Sequence, residues 1–167
     1  MAAVVTAYVG LGANLDDPVR QVRRAFEELA TLPATHVMAR SPLYKSAPLG
    51  PQDQPDYINA VAVLETTLEP LELLTGLRSI EAQHGRQRDA TRWGPRTLDL
   101  DLLIYGSLQM DTQELTLPHP GLPERAFVLY PLDDVAPALL IPGRGSVREL
   151  RDRLGKTEIA RLEPQDP

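Results

Sequence analysis

The chain has no cysteine. That excludes a disulfide framework, a cysteine-based zinc site and thiol catalysis, and it fits a reducing compartment. It has no apolar run near the roughly 20 residues that a membrane-spanning helix needs. The start, Met1-Ala2-Ala3-Val4-Val5, has no basic segment and no long apolar core, so no secretory signal is read and the expected location is the cytoplasm. Positive charge is short: 17 Lys+Arg stand against 23 Asp+Glu, for a net charge of −6. Duplex nucleic acid is therefore not an expected partner, because such binding needs a net basic face. Aromatics are few, with one Trp, five Tyr and two Phe. What is plentiful is proline, 16 in 167 residues, crowded into 42–55 and 118–142. Those stretches predict ordered loops, where function tends to sit. The length fits one domain, expected over residues 1–160, with 161–167 as a tail; no role is read after about residue 155.

Val4–Leu11 is β-branched and apolar and reads as a buried strand. Asp16-Asp17-Pro18 predicts a helix start with a capping Asp. Val22, Phe26, Leu29 and Leu32 follow at helical spacing, and Pro33 closes the helix. A strand is expected over 35–46 and another over Tyr57–Thr67. Pro70 opens a helix with Leu73, Leu74, Leu77 and Ile80 as its buried stripe, stopped by Gly85. In Leu98–Tyr105 the alternation places Leu98, Leu100, Leu102 and Ile104 on one face. Asp99, Asp101, Leu103 and Tyr105 take the other face. A helical segment is expected over Glu124–Leu132, and Ser146 caps a last helix through Leu154. The order of elements has no regular βαβ rhythm, which argues for an α+β sheet with helices on one face.

The strongest chemical signal is Arg92-Trp93-Gly94-Pro95-Arg96-Thr97-Leu98-Asp99-Leu100-Asp101. Residues two apart on a strand project from the same face about 6.6 Å apart. Asp99 and Asp101 are then adjacent carboxylates that need positive charge between them, and their oxygens suit Mg²⁺ with phosphate co-ligands. The alternative is a solvated strand face, or ion pairing with nearby arginines. Arg86, Arg88, Arg92 and Arg96 crowd the preceding segment, and arginine forks grip phosphate oxygens. Trp93, the only tryptophan, either docks on the core or covers a ligand. Gly10-Leu11-Gly12-Ala13-Asn14 is neither a Walker A nor a Rossmann fingerprint, and Gly12 and Asn14 read as turn residues. His36, His84 and His119 show no metal-ligand spacing. His36 reads as a surface strand residue. Pro118 and Pro120 fix the direction of His119, as a phosphate donor or as a turn residue. Tyr57 and Phe127 could stack on a flat ligand or belong to the core.

Five blocks in order resemble the 6-hydroxymethyl-7,8-dihydropterin pyrophosphokinases of folate biosynthesis. They are Val9–Leu15, Pro48–Ala60, Gly85-Arg86, Arg92–Asp101 and Pro118-His119. The resemblance runs from about Ala7 to Pro142. It implies a ferredoxin-like α+β sandwich, mainly antiparallel, with helices packed on its faces. It implies transfer of pyrophosphate from ATP to the pterin hydroxymethyl, with two Mg²⁺ ions and an expected monomer. Asp99 and Asp101 match the metal ligands; Arg86, Arg96 and Asp101 match catalytic positions. Ser46, Leu49, Tyr57, Asn59, Trp93 and Phe127 match the pterin site. Glu81, Arg86, Arg88, Arg96, Leu102, Thr116, His119 and Arg125 match the ATP site. Asp89, Arg78 and Pro120 depart from residues common among such proteins. The competing readings are a nucleotide- or pterin-binding module without turnover, and a phosphodiesterase using the same Asp pair.

Overall fold

The structure is a computed structural model that describes residues 3–47, 55–85, 97–155, 157 and 159–162. β1 (Val5–Ala13) leads through a left-handed turn at Asp16 and Asp17 into α1 (Pro18–Leu29). Asp17 makes no side-chain cap, so the start of α1 rests on Pro18 and on this turn. α1 buries Val22, Ala25, Phe26 and Leu29 and ends at Leu29, short of Pro33. The single strand expected over 35–46 is two: β2 (Thr35–Arg40) and β3 (Tyr44–Ser46). Pro42, which cannot donate to a ladder, lies in the break.

β4 (Tyr57–Thr66) pairs with β1 along one edge and with β2 and then β3 along the other. α2 (Pro70–Gln83) opens with a capping box between Glu69 and Glu72. Gly85 follows at φ +83, the left-handed conformation that a glycine stop adopts. β5 (Asp99–Tyr105) pairs antiparallel with β1. A small hairpin of β6 (Met110–Asp111) and β7 (Thr116–Leu117) leads to α3 (Ala126–Val135). The hairpin of β8 (Leu140–Ile141) and β9 (Gly145–Ser146) precedes α4 (Val147–Arg153). The Ser146 hydroxyl accepts from Glu149 N–H, the expected cap.

The sheet carries helices on both faces rather than on one. Beneath α1 and α2 lie Ala7, Val9, Leu11, Leu64, Leu100 and Leu102. Beneath α3 and α4 lie Tyr8, Val61, Val63, Leu103 and Ile104. Every strand pair in the main sheet is antiparallel, the ferredoxin-like α+β plan. In β5 the strict alternation fails at one point. Leu102 pairs with Val9 and Ile104 with Tyr8, so Leu103 is the extra residue of a bulge. Ile104 therefore joins Leu103 under α3, and Tyr105 moves to the face under α1 and α2. The residues after 155 are also not all tail. β10 (Ile159–Arg161) pairs with β3 and ends the sheet on that side.

Candidate active site

The site lies where three strands run past the start of α3. Register puts Gly12 between Asn59 of β4 and Asp99 of β5, and Gly10 between Val61 and Asp101. Both glycines sit inside β1, so Gly12 is a strand residue and not the expected turn residue. A Cβ on Gly12 would stand 3.0 Å from Asn59 Nδ2, and one on Gly10 would stand 3.4 Å from a Leu103 methyl. Missing side chains thus leave a bare strip of sheet between Asn59 and the two aspartates. Asn14 is not a left-handed turn residue; it is buried and donates to Pro55 O at 2.9 Å. That bond holds the chain just ahead of Tyr57 and Asn59.

A first pocket stands on this strip. Gly10, Gly12, Asp99 and Asp101 form its floor, Ser46, Tyr57 and Asn59 one wall, and Phe127 and Val128 the other. It measures about 640 Å³ with its open mouth included. Ser46 Oγ donates to Asn59 Oδ1 at 3.0 Å. The Arg125 guanidinium lies 5.8 Å from the Phe127 ring centroid. Tyr57, Asn59, Ser46 and Phe127, all expected at one ligand, are together.

A second pocket opens along the outer edge of β5 and shares Asp99 and Asp101 with the first. Arg78 and Glu81 of α2, Thr112–Thr116 of the hairpin, Leu102 and His119 line it. Glu81 is buried, and its Oε2 accepts the Leu100 backbone N–H at 2.7 Å, between the two aspartates in sequence. This bond satisfies an edge donor and fixes the stretch of β5 that carries Asp99 and Asp101.

His119 donates its backbone N–H to Leu103 O at 2.9 Å. Its Nδ1 accepts from Gly121 N–H at 3.1 Å, so the neutral ring carries its proton on Nε2 and can donate it. Burial, aided by the positive charge of Arg125 and opposed by Asp99, pushes His119 down to about 4. It is therefore a neutral hydrogen-bond donor at physiological pH. Arg125 and Thr116 stand on the same side of the site, Thr116 with its hydroxyl 3.3 Å from Asp111 Oδ1. His36 is exposed on β2, as expected. His84 is elsewhere, buried between Gln21 and Glu28 of α1, and ties α1 to α2.

Among the described residues no group of three His, Asp or Glu side chains could cage a metal ion. Asp99 and Asp101 supply half-buried carboxylates open to both pockets. That donor set fits a hard cation that keeps waters and takes further oxygens from a phosphate ligand. Leu49, Arg86, Arg88, Trp93 and Arg96 lie outside the described residues. The floor glycines Gly10 and Gly12 line the first pocket, although the motif reading places Gly12 in a turn and gives Gly10 no role beyond the strand. Their spacing of two, matching Asp-x-Asp on the neighbouring strand, was the available signal.

The family model described as 7,8-dihydro-6-hydroxymethylpterin-pyrophosphokinase matches residues 8–137. The chain belongs to this family. A Haemophilus influenzae 2-amino-4-hydroxy-6-hydroxymethyldihydropteridine pyrophosphokinase is 45% identical over 161 residues, 96% of this chain and 100% of that protein. A Pseudomonas aeruginosa protein of the same name is 51% identical over 143 residues, 86% of this chain and 88% of its own. A Plasmodium falciparum HPPK-DHPS crystal structure with pteroate superposes with a TM-score of 0.71 at 14% identity. It covers 92% of this chain, which spans 43% of that longer one, and the likeness is one of fold.

Proposed function

We propose that the chain transfers the terminal pyrophosphoryl group of ATP to 6-hydroxymethyl-7,8-dihydropterin, a step of tetrahydrofolate biosynthesis. The pterin hydroxyl oxygen bonds to the β-phosphorus, and the bond from that phosphorus to the α,β-bridging oxygen breaks. AMP leaves with that oxygen, and the hydroxyl proton passes to solvent. The observation that carries this reading is the pair of pockets that meet at Asp99 and Asp101. One is lined by the rings of Tyr57 and Phe127 and the other is polar, so acceptor and donor would approach the same carboxylates from two sides.

In this reading the pterin lies between Tyr57 and Phe127, with Asn59 on its amide edge. Two aromatic faces and one amide orient a flat, polar-edged ring with little surface. ATP takes the second pocket. There the Nε2–H of His119 donates to a phosphate oxygen, and Arg125 adds positive charge near it. Leu102 and Thr116 lie where the adenosine is expected, and Glu81 holds β5 in place. Asp99 and Asp101 would hold Mg²⁺, which when bound neutralises phosphate charge as it moves toward the leaving oxygen. Arg86, Arg88, Arg96, Trp93 and Leu49 keep the roles the resemblance implies for them. No residue is assigned as a general base. Cytoplasmic location and a monomeric state complete the proposal; among the described residues no helix is long and apolar enough to cross a membrane.

The test is AMP formation from Mg-ATP with and without 6-hydroxymethyl-7,8-dihydropterin. AMP that requires the pterin supports the transfer. AMP formed equally without it assigns a phosphodiesterase-like activity instead. Binding of both ligands without AMP would make the chain a binding module.

A further inference from the structure

The segment after residue 155, which carries no motif, places β10 beside β3, the strand whose Ser46 lines the first pocket. In β10, Ile159 pairs with Ser46, Ala160 with Lys45 and Arg161 with Tyr44. The Leu162 N–H donates to Leu43 O at 2.8 Å. Arg161 Nη2 donates to Asp134 Oδ1 at 2.9 Å. The Tyr44 hydroxyl donates to the other oxygen of the same carboxylate. The Arg161 guanidinium lies 6.0 Å from the Tyr44 ring centroid. One carboxylate of α3 thus joins β3 to β10. α3 also carries Phe127 in its first turn, and β3 ends in Ser46.

Ser46 supplies the second link. Its hydroxyl engages Asn59 Oδ1, while Asn59 Nδ2 faces Gly12. Which end of that amide meets a ligand decides whether the wall of the pocket offers a donor or an acceptor. β3 has only three residues, and so short a strand is weakly held by one ladder. A second ladder and a shared carboxylate fix its place.

We propose that β10 and the Asp134–Arg161–Tyr44 cluster are positioning elements for the pterin pocket: they hold β3 so that Ser46 orients the Asn59 amide. The inference rests on the reading of the first pocket as the pterin site. None of these residues lines the second pocket, so the effect falls on one substrate only.

The test uses the full-length chain and two ligands measured separately by calorimetry, 6-hydroxymethylpterin and a non-hydrolysable ATP analogue. Arg161 is more than half exposed, so Arg161→Ala breaks the cluster without opening a cavity. Asp134→Ala is the second variant, and Ser46→Ala marks the end of the chain of contacts. Loss of one hydrogen bond along this chain of contacts predicts roughly tenfold weaker pterin binding for each variant, with the ATP analogue within about twofold of wild type. Adding Arg161→Ala to Ser46→Ala should weaken pterin binding no further, because both act through Asn59. Equal loss for both ligands, unchanged pterin binding in Arg161→Ala, or fully additive losses in the double variant would each overturn the proposal. A wild-type chain that binds the ATP analogue but no pterin would sink the functional reading itself, which no variant result can do.

Discussion

The two pockets on either side of Asp99 and Asp101 are made by different parts of the fold. The first is a sheet surface with side chains removed at Gly10 and Gly12 and walls of Tyr57 and Phe127. On the proposed reading its ligand is selected by thickness and by one amide. The second is an edge: the outer rim of β5, one face of α2 and a hairpin. Its described lining holds four carboxylates, Glu81, Asp99, Asp101 and Glu114, against one arginine, Arg78. A triphosphate cannot settle beside that charge unless cations come with it. On the proposed reading, the described walls of the first pocket already offer two rings and an amide, whereas the second would need cations, from Mg²⁺ and the arginines of 86–96, to take a triphosphate. The difference separates recognition by shape from recognition by charge, and each can be removed without the other.

The largest effect should come from the carboxylates that both pockets share. Asp99→Ala and Asp101→Ala are each expected to lower AMP formation by on the order of a thousandfold or more. The fold should survive, with the melting midpoint shifted by no more than about 3 °C, since removing one of two like charges relieves repulsion. Excess EDTA should abolish nucleotide binding and leave pterin binding intact. Pterin binding that disappears with the metal would erase the distinction between the pockets.

Next in size is Gly12→Ala. The new methyl would press on Asn59 Nδ2 at 3.0 Å and thicken the floor of the first pocket alone. Pterin binding should fall by about 10- to 100-fold with nucleotide binding little changed, as expected where a close-packed site cannot give way. Comparable loss of both ligands would mean that the strip of sheet serves the whole site. On the other side, Glu81→Ala leaves the Leu100 N–H without its buried acceptor. The expected cost is about 2–3 kcal/mol of unfolding free energy, measured by denaturant melts, and Glu81→Gln should lose less because it keeps an acceptor. A neutral Glu81→Ala would show that β5 is held by its ladder to β1 alone.

The elements that sequence patterning reveals are those whose apolar spacing is local. α2 follows its stripe and its glycine stop, and β4 follows its run of buried residues. What patterning misses depends on a partner strand far away in the chain. The bulge at Leu103 exists only in the register with β1, so Ile104 and Tyr105 exchange faces against strict alternation. β10 is three residues whose meaning comes from β3, more than a hundred positions earlier. The site divides the same way. Asp99 and Asp101 are legible as neighbours because the strand period is two. Gly10 and Gly12 become floor residues only when β4 and β5 are laid beside them. Gly12 reads as a turn residue because a left-handed conformation is glycine's commonest reason. Here it lies in a strand, and its missing side chain leaves the sheet bare beside Asn59.

The smallest effect separates the pockets by pH. His119 belongs to the charge-reading side and is held at about 4 against an ordinary 6.5. A folded value below the unfolded one means that the unfolded chain takes up a proton first as pH falls. Its contribution is fully present above about pH 6.5, is lost progressively between 6.5 and 4, and changes no further below. With the ring partly exposed, the loss over that window is about 1–2 kcal/mol. Chemical denaturation at pH 7.5, 5.5 and 4.5 should show it, and His119→Asn should flatten that part of the profile. NMR offers the direct check, with the imidazole Cε1–H shift expected to stay constant from pH 8 to about 5 in the free protein. A bound triphosphate places negative charge at Nε2 and should raise the midpoint, whereas pterin alone should leave it unmoved. A midpoint near 6.5 without ligand would mean that the ring is neither buried nor held by Gly121 and Arg125, and that the second pocket is more open than its geometry indicates.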